Sequence, residues 1–247
     1  MSWDALIPAR DGTHHLRGNV PAYEERFDEV LPFHAPGLAP VLRGGQAWHI
    51  DDQGRPAYAR RFTRVFGFYE GLSAVIGLDG WHHIASNGID VYSARYAWCG
   101  NFQGGRCAVR DLDHRYTHVD REGRPICAAR WRYAGDFRER AAVVQADDGR
   151  STHVDETGLP VHGRWFIDLD VFHKGLARAR DADGWTHVDR RGEPAYARRF
   201  LQVEPFYNGQ ARVGREDGGL EVIDPTGAAL VELRPARKSG LARLEQS

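Results

Sequence analysis

Cysteine, methionine, lysine and net charge are all in short supply in this chain. Three cysteines, Cys99, Cys107 and Cys127, occur in 247 residues. They form no Cys-x-x-Cys pair and no disulfide framework, so nothing here demands an oxidising compartment. The 33 basic and 34 acidic residues leave a formal charge of −1, which argues against a domain that grips nucleic acid by neutralising phosphates. Lys174 and Lys238 are the only lysines; the other basic side chains are arginines, suited to planar pairing with carboxylates. No apolar run approaches a membrane span, and the start Met1-Ser2-Trp3-Asp4-Ala5 has neither the basic flank nor the apolar stretch of a secretion signal. A cytoplasmic location is expected. A Gly-x-Ser-x-Gly elbow, a phosphate loop, a His-Glu-x-x-His helix and a dinucleotide fingerprint are also missing, so no reaction can be named. With 11% aromatic and 27% charged residues the composition is globular, and the length suits one large all-β domain or one or two ordinary ones.

What the chain has is repetition. Trp185-Thr-His-Val-Asp189, Tyr116-Thr-His-Val-Asp120 and Ser151-Thr-His-Val-Asp155 share a pattern also visible at Trp48-His-Ile-Asp51 and His82-His-Ile84. Anchored on that histidine, the series runs His15, His49, His83, His118, His153 and His187, with Val222 in the seventh copy, at intervals of 34, 34, 35, 35, 34 and 35 residues. Arginine keeps the same beat at Arg26, Arg61, Arg95, Arg130, Arg164, Arg199 and Arg234, and phenylalanine at Phe33, Phe68, Phe102, Phe137, Phe172 and Phe206. Glycine falls five residues after the anchor, from Gly54 to Gly227. Seven units of about 34 residues therefore span residues 3–235, read as a single repeat domain with a C-terminal tail at 236–247.

Each unit reads as three short strands. The first is rich in small residues, as in Leu72-Ser-Ala-Val75 and Gln210-Ala-Arg-Val213; the second carries the aromatic-x-His-(Val/Ile)-Asp alternation; the third is expected at segments such as Ala195-Tyr-Ala-Arg-Arg-Phe200. Turns such as Asp120-Arg-Glu-Gly123 place glycine where a positive φ is needed. No stretch makes a convincing amphipathic helix.

Phe206-Tyr-Asn-Gly-Gln-Ala-Arg-Val213 and Gly184-Trp-Thr-His-Val-Asp189 carry a likeness that extends over almost the whole chain. They resemble WG-repeat proteins, whose units look like Phe-x-x-Gly-(x)-Ala-x-Val followed by Trp-Gly-aromatic-Ile-Asp. Tryptophan keeps its repeat place only at Trp81 and Trp185, the following glycine is replaced by His82 and Thr186, and histidine stands at the aromatic position. The resemblance implies a bacterial repeat architecture and constrains activity very little. The chain begins and ends nearly in phase and lacks distinct capping units, which favours an all-β ring, a closed β-propeller, over the alternative of an open β-solenoid.

Six phased histidines invite a metal, because imidazole is a common ligand of zinc. A residue repeated in every unit is better explained by a contact repeated in every unit. His118/Asp120, His153/Asp155 and His187/Asp189 lie on one strand face, where they pair or brace the following turn. The phased arginines are read as structural too, with aspartates as partners. Cys99 and Cys107 are expected as small core residues; Asp168/Asp170 near His173 and Asp181/Asp183 lack calcium-loop spacing.

Function is sought where the symmetry breaks. Just after the phased Phe stand His34, Tyr69, Gln103, Arg138, His173 and Tyr207, followed by Ala35, Glu70, Gly104, Glu139, Lys174 and Asn208. On the propeller reading these side chains ring one mouth of a central channel, just before an innermost strand. His34, Tyr69, Glu70, Gln103, Arg138, His173, Lys174, Tyr207 and Asn208 are the candidate ligand-binding residues. The expectation is a non-catalytic binding module for a peptide, a protein partner or a small polar ligand, without a cofactor. The alternative is an enzyme with a transition metal such as zinc, using His34 and His173 or several phased histidines; propeller enzymes gather their groups from several blades, so the lack of a local motif does not settle the matter.

Overall fold

The computed structural model describes residues 2–236, so all but the first residue of the tail expected at 236–247 lies outside the described residues. Among them the chain is all-β. Seven small antiparallel sheets follow one another in chain order, six of three strands and the last of four. Helix is confined to one 3-10 turn, Trp3–Ala5, and no described helix is long and apolar enough to cross a membrane. The described residues form two compact units: 2–137 with Glu156–Gly158 in one, Arg138–Asp155 with 159–236 in the other.

In the first unit the third sheet shows the pattern. A leading strand, Arg64–Tyr69, pairs with a middle strand, Leu72–Gly77, which pairs with a last strand, Gly80–Ala85. The second unit repeats it with Asp168–Leu169, Ala177–Asp181 and Gly184–Val188, and then with Gln202–Val203, Ala211–Gly214 and Leu220–Ile223, to which Ala229–Arg234 adds a fourth strand. The small-residue strand is thus the middle strand of its sheet, with a further leading strand before it, and not the first. In Leu72–Gly77, Arg106–Arg110 and Ala141–Gln145 consecutive residues are buried on both faces, with Ala74, Ala108 and Ala142 at most 3% exposed, and that double burial is why small side chains are needed there.

The third strand expected at Ala195–Phe200 is absent. Residues 195–200 form a bend closed by single bridges, Val188 to Pro194 and Trp185 to Phe200. Pro194 has no N–H for a ladder, and the Arg199 guanidinium draws the carbonyls of Tyr196, Ala197 and Arg198 to one nitrogen at 3.5, 3.2 and 3.2 Å. Arg26, Arg61 and Arg95 hold the matching bends in the same way. The chain then leaves the bend directly into the leading strand of the next sheet.

The phased histidines join each sheet to the next. His49 Nε2 donates to the Phe66 carbonyl at 2.7 Å, and His187 Nε2 to the Glu204 carbonyl at 2.8 Å, 17 residues further on. His15, His83, His118 and His153 make the equivalent bond at 2.8 to 3.0 Å. Since Nε2 carries the proton, Nδ1 accepts. Tyr23, Tyr58 and Tyr196 donate their hydroxyls to His15, His49 and His187, each at 2.5 Å. Tyr92 serves His83, and His162 serves His153 at 3.0 Å. Each of the six imidazoles packs on the phased Phe of its series at 4.0 to 4.7 Å between centroids. The same tyrosines seat the phased glycines: at Gly88, with φ +79°, an added Cβ would lie 2.6 Å from Tyr58 Cγ. Of the two roles open to the aspartates, the observed one is bracing. Asp120 Oδ1 accepts from the amides of Glu122 and Arg124 at 3.0 and 2.9 Å, and Asp189 Oδ1 from those of Arg191 and Glu193 at 2.8 and 3.0 Å.

Candidate functional site

A two-residue turn joins leading and middle strands, and both of its residues have positive φ. The pairs are Glu70/Gly71, Gly104/Gly105, Glu139/Arg140, Lys174/Gly175 and Asn208/Gly209, the signature of a tight type I′ hairpin. The residue that enters each turn is the variable one: Tyr69, Gln103, Arg138, His173 or Tyr207. Backbone twist in such a turn leaves two adjacent N–H groups unpaired and pointing outward, a small anion-binding nest. In two places the preceding turn fills it. Glu70 accepts from the amides of Gly104 and Gly105 at 2.6 and 2.8 Å, and Glu139 from those of Lys174 and Gly175 at 2.5 and 2.9 Å. Arginines lock the two glutamates in turn: Arg121 donates to the Glu70 carbonyl and Arg190 to the Glu139 carbonyl, both at 2.8 Å. Glu70 therefore serves as a clasp between turns. Glu139→Ala is expected to speed hydrogen exchange at the Lys174 and Gly175 amides by at least about tenfold, as the net worth of a charge-assisted bond requires, with the remaining sheets unaffected; unchanged exchange would contradict the clasp.

In the first unit His34 and Tyr69 meet with ring centroids 5.0 Å apart. His34 also rests on the backbone of Gly67, where a Cβ would fall 2.5 Å from its Nε2. Gln103 Nε2 lies 3.4 Å from Asp136 Oδ2. In the second unit Arg138, His173 and Tyr207, three successive turn entries, form a row. Arg138 donates to His173 Nδ1 at 3.0 Å, and the His173 and Tyr207 rings lie parallel within 6° at 6.5 Å. Lys174 Nζ sits 5.8 Å from the Tyr207 ring centre. Asn208 takes the left-handed turn position, φ 49°.

Beneath this row is a cavity of about 260 Å³, lined by Arg138, His173 and Tyr207 with Asp170, Arg178 and Leu176 among others. Arg178 donates to Asp170 Oδ2 from two nitrogens at 2.9 and 2.7 Å and to the Val203 carbonyl at 3.3 Å, so its charge is matched inside the wall. Arg138 and Lys174 have no carboxylate partner among the described residues, and they make the mouth positive. Tyr207 is 72% exposed and offers a free aromatic face. Sequence reasoning noted Asp170 beside His173 but set it aside for want of calcium-loop spacing, and it missed Arg178 and Leu176. The available signal was Arg178 itself: it stands opposite His187 in the sheet register, where other middle strands place Ala74, Ala108 or Val143 opposite their histidines.

Among the described residues no three His, Cys, Asp or Glu side chains gather as a metal site. In His15, His49, His83, His153 and His187 both ring nitrogens are engaged by protein groups, so ligation would require breaking a buried bond. Burial drives the His49, His83, His153 and His187 imidazoles down to about 4 from 6.5. Cys99 and Cys107 are buried, and burial pushes both thiols above their ordinary range. Asp181 is occupied by Arg199 at 2.8 Å and by the amide of Asp183 at 3.0 Å.

No family model matches the chain, and no curated protein matches it. Among solved structures it is similar to BamB from Moraxella catarrhalis, at 14% identity over 94% of this chain and 85% of that one, with a TM-score of 0.48. It is also similar to a eukaryotic initiation factor (12% identity, 84% and 65% of the two chains, TM-score 0.48) and to Hsv2 of Kluyvelomyces marxianus (10%, 85% and 75%, TM-score 0.46). These neighbours are β-propellers; none of their roles carries over at such identities.

Proposed function

We propose that the chain is a divergent WG-repeat protein whose seven sheets close as a β-propeller and that it works as a non-catalytic binding module. Support for closure comes from the sevenfold period and the seven like sheets that follow it. The ligand is a peptide or small polar molecule that presents an anionic group beside a flat one. One observation carries this reading: the row Arg138–His173–Tyr207 stands over a 260 Å³ cavity, with two cations lacking carboxylate partners at its mouth. Guanidinium and ammonium groups attract the anion, and exposed Tyr207 supplies the surface for a flat group.

N-acetylphenylalanine, which has a carboxylate and a ring, is a suitable probe. Its titration is expected to shift the His173 and Tyr207 ring resonances saturably. In the Arg138→Ala/Tyr207→Ala double variant binding is lost while the thermal midpoint stays put, because both side chains are exposed and lie outside the core. Undiminished binding by that variant would remove the cavity from consideration.

A further inference from the structure

The first unit carries a second depression, about 710 Å³, lined by Tyr23, Phe27, Arg43, Gln46, Trp48 and Arg61 among others. Arg61 is the phased arginine of its repeat. One of its nitrogens holds the carbonyls of Tyr58, Ala59 and Arg60 at 3.1, 2.9 and 3.0 Å, and its guanidinium lies 4.2 Å from the Trp48 ring centre. In three other repeats the rest of this guanidinium is filled by a carboxylate from the hairpin between middle and last strands. Arg95 Nε meets Asp79 at 2.7 Å, Arg130 Nε meets Asp111 at 2.9 Å, and Arg199 Nε meets Asp181 at 2.9 Å.

The hairpin that faces Arg61 has no acid to offer. It turns through Gly44 and Gly45 between Arg43 and Gln46. Ala47 bridges Phe62 as Trp81 bridges Tyr96, so Gly45 occupies the place of Asp79. Arg61 Nε and its second terminal nitrogen have no carboxylate partner among the described residues. The other charged groups around the depression are matched, Arg43 with Glu25 at 2.7 Å and Arg55 with Asp51 at 2.8 Å, leaving Glu24 exposed at the edge. Trp48 is only 7% exposed, and its indole N–H is buried without an acceptor.

We propose that this depression is a carboxylate-binding site, in which an acidic side chain from a partner supplies to Arg61 the carboxylate that the chain itself supplies to Arg95, Arg130 and Arg199. A planar guanidinium edge and a carboxylate form a two-bond fork, and the aromatic face beneath keeps the guanidinium in the orientation that the fork needs. The site is separate from the cavity at Arg138 and shares no residue with it.

The test uses the full chain and three tripeptides: acetyl-Ala-Asp-Ala-amide, its Asn counterpart, and acetyl-Ala-Ala-Ala with a free C-terminus. The Asp peptide is expected to shift the Trp48 indole and Arg61 Nε–H resonances saturably, at least about tenfold more tightly than the Asn peptide. Gly45→Asp restores the internal carboxylate at a position with open space around it and a φ that Asp tolerates. It is expected to abolish binding while the fold is kept, and Arg61→Gln should do the same. Preference for the free C-terminus over the Asp peptide would overturn the side-chain assignment, and so would equal binding of the Asp and Asn peptides or binding that survives Gly45→Asp.

Discussion

Between about pH 6.5 and about pH 4 the folded chain is expected to lose most of its stability. His49, His83, His153 and His187 protonate near 6.5 when unfolded and only at about 4 when folded, because burial disfavours the charged ring. Throughout that window the unfolded chain binds more protons, so stability falls as the pH drops and the loss is complete below the folded values. Each histidine contributes up to about 1.4 kcal/mol per pH unit. Four together therefore rival a total stability of about 5–15 kcal/mol within two or three units. His15 and His118 shift in the same direction, also through burial. The geometry gives the same sign: a protonated Nδ1 cannot accept from the tyrosine hydroxyl, so that bond is lost. Urea midpoints taken from about pH 7.5 to about pH 5 should fall steeply below 6.5. A flat profile over that range would mean that the imidazoles are not held neutral. The aspartates that brace the turns titrate lower still, and their effect lies outside this window.

The second large effect is expected at His187. Its Nε2 satisfies the Glu204 carbonyl, its Nδ1 satisfies the Tyr196 hydroxyl, and its ring lies 4.3 Å from Phe206. His187→Ala leaves a buried carbonyl and a buried hydroxyl without partners and opens a cavity beside Phe206, a loss of about 3–5 kcal/mol. Tyr196→Phe removes one hydrogen bond and should cost about 1–2 kcal/mol. The double variant should fall short of the sum, because both changes delete the same bond. Strict additivity in chemical denaturation would refute the shared contact. His118 is the natural comparison. Cys127 stands where the other repeats place a tyrosine or His162, and only the Nε2 bond to Gly135 is seen. His118→Ala should therefore cost less than His187→Ala.

Much of this was legible because repetition turns one contact into six. A histidine on a fixed beat reads as a contact repeated in each unit, and the six imidazoles make that contact between consecutive sheets. Their partners were not legible. A carbonyl 17 residues away has no side-chain signature, and a tyrosine nine residues away stands out only once its hydroxyl is seen at Nδ1. The same limit explains the misplaced strand. Ala195–Phe200 alternates like a strand, yet Pro194 and the carbonyls captured by Arg199 hold it in a bend.

The amino-acid order by itself determined the period, the all-β class, the glycines that need positive φ, and the variable turn positions, since each depends on local chemistry repeated along the chain. Tertiary structure decided which variable residues act together. Glu70 and Glu139 reach across to hold the next turn, while Arg138, His173 and Tyr207 stand in one row above a cavity. Side chains some 35 residues apart become neighbours only when successive sheets are stacked. That distance is set by packing between sheets and is not written in any one repeat.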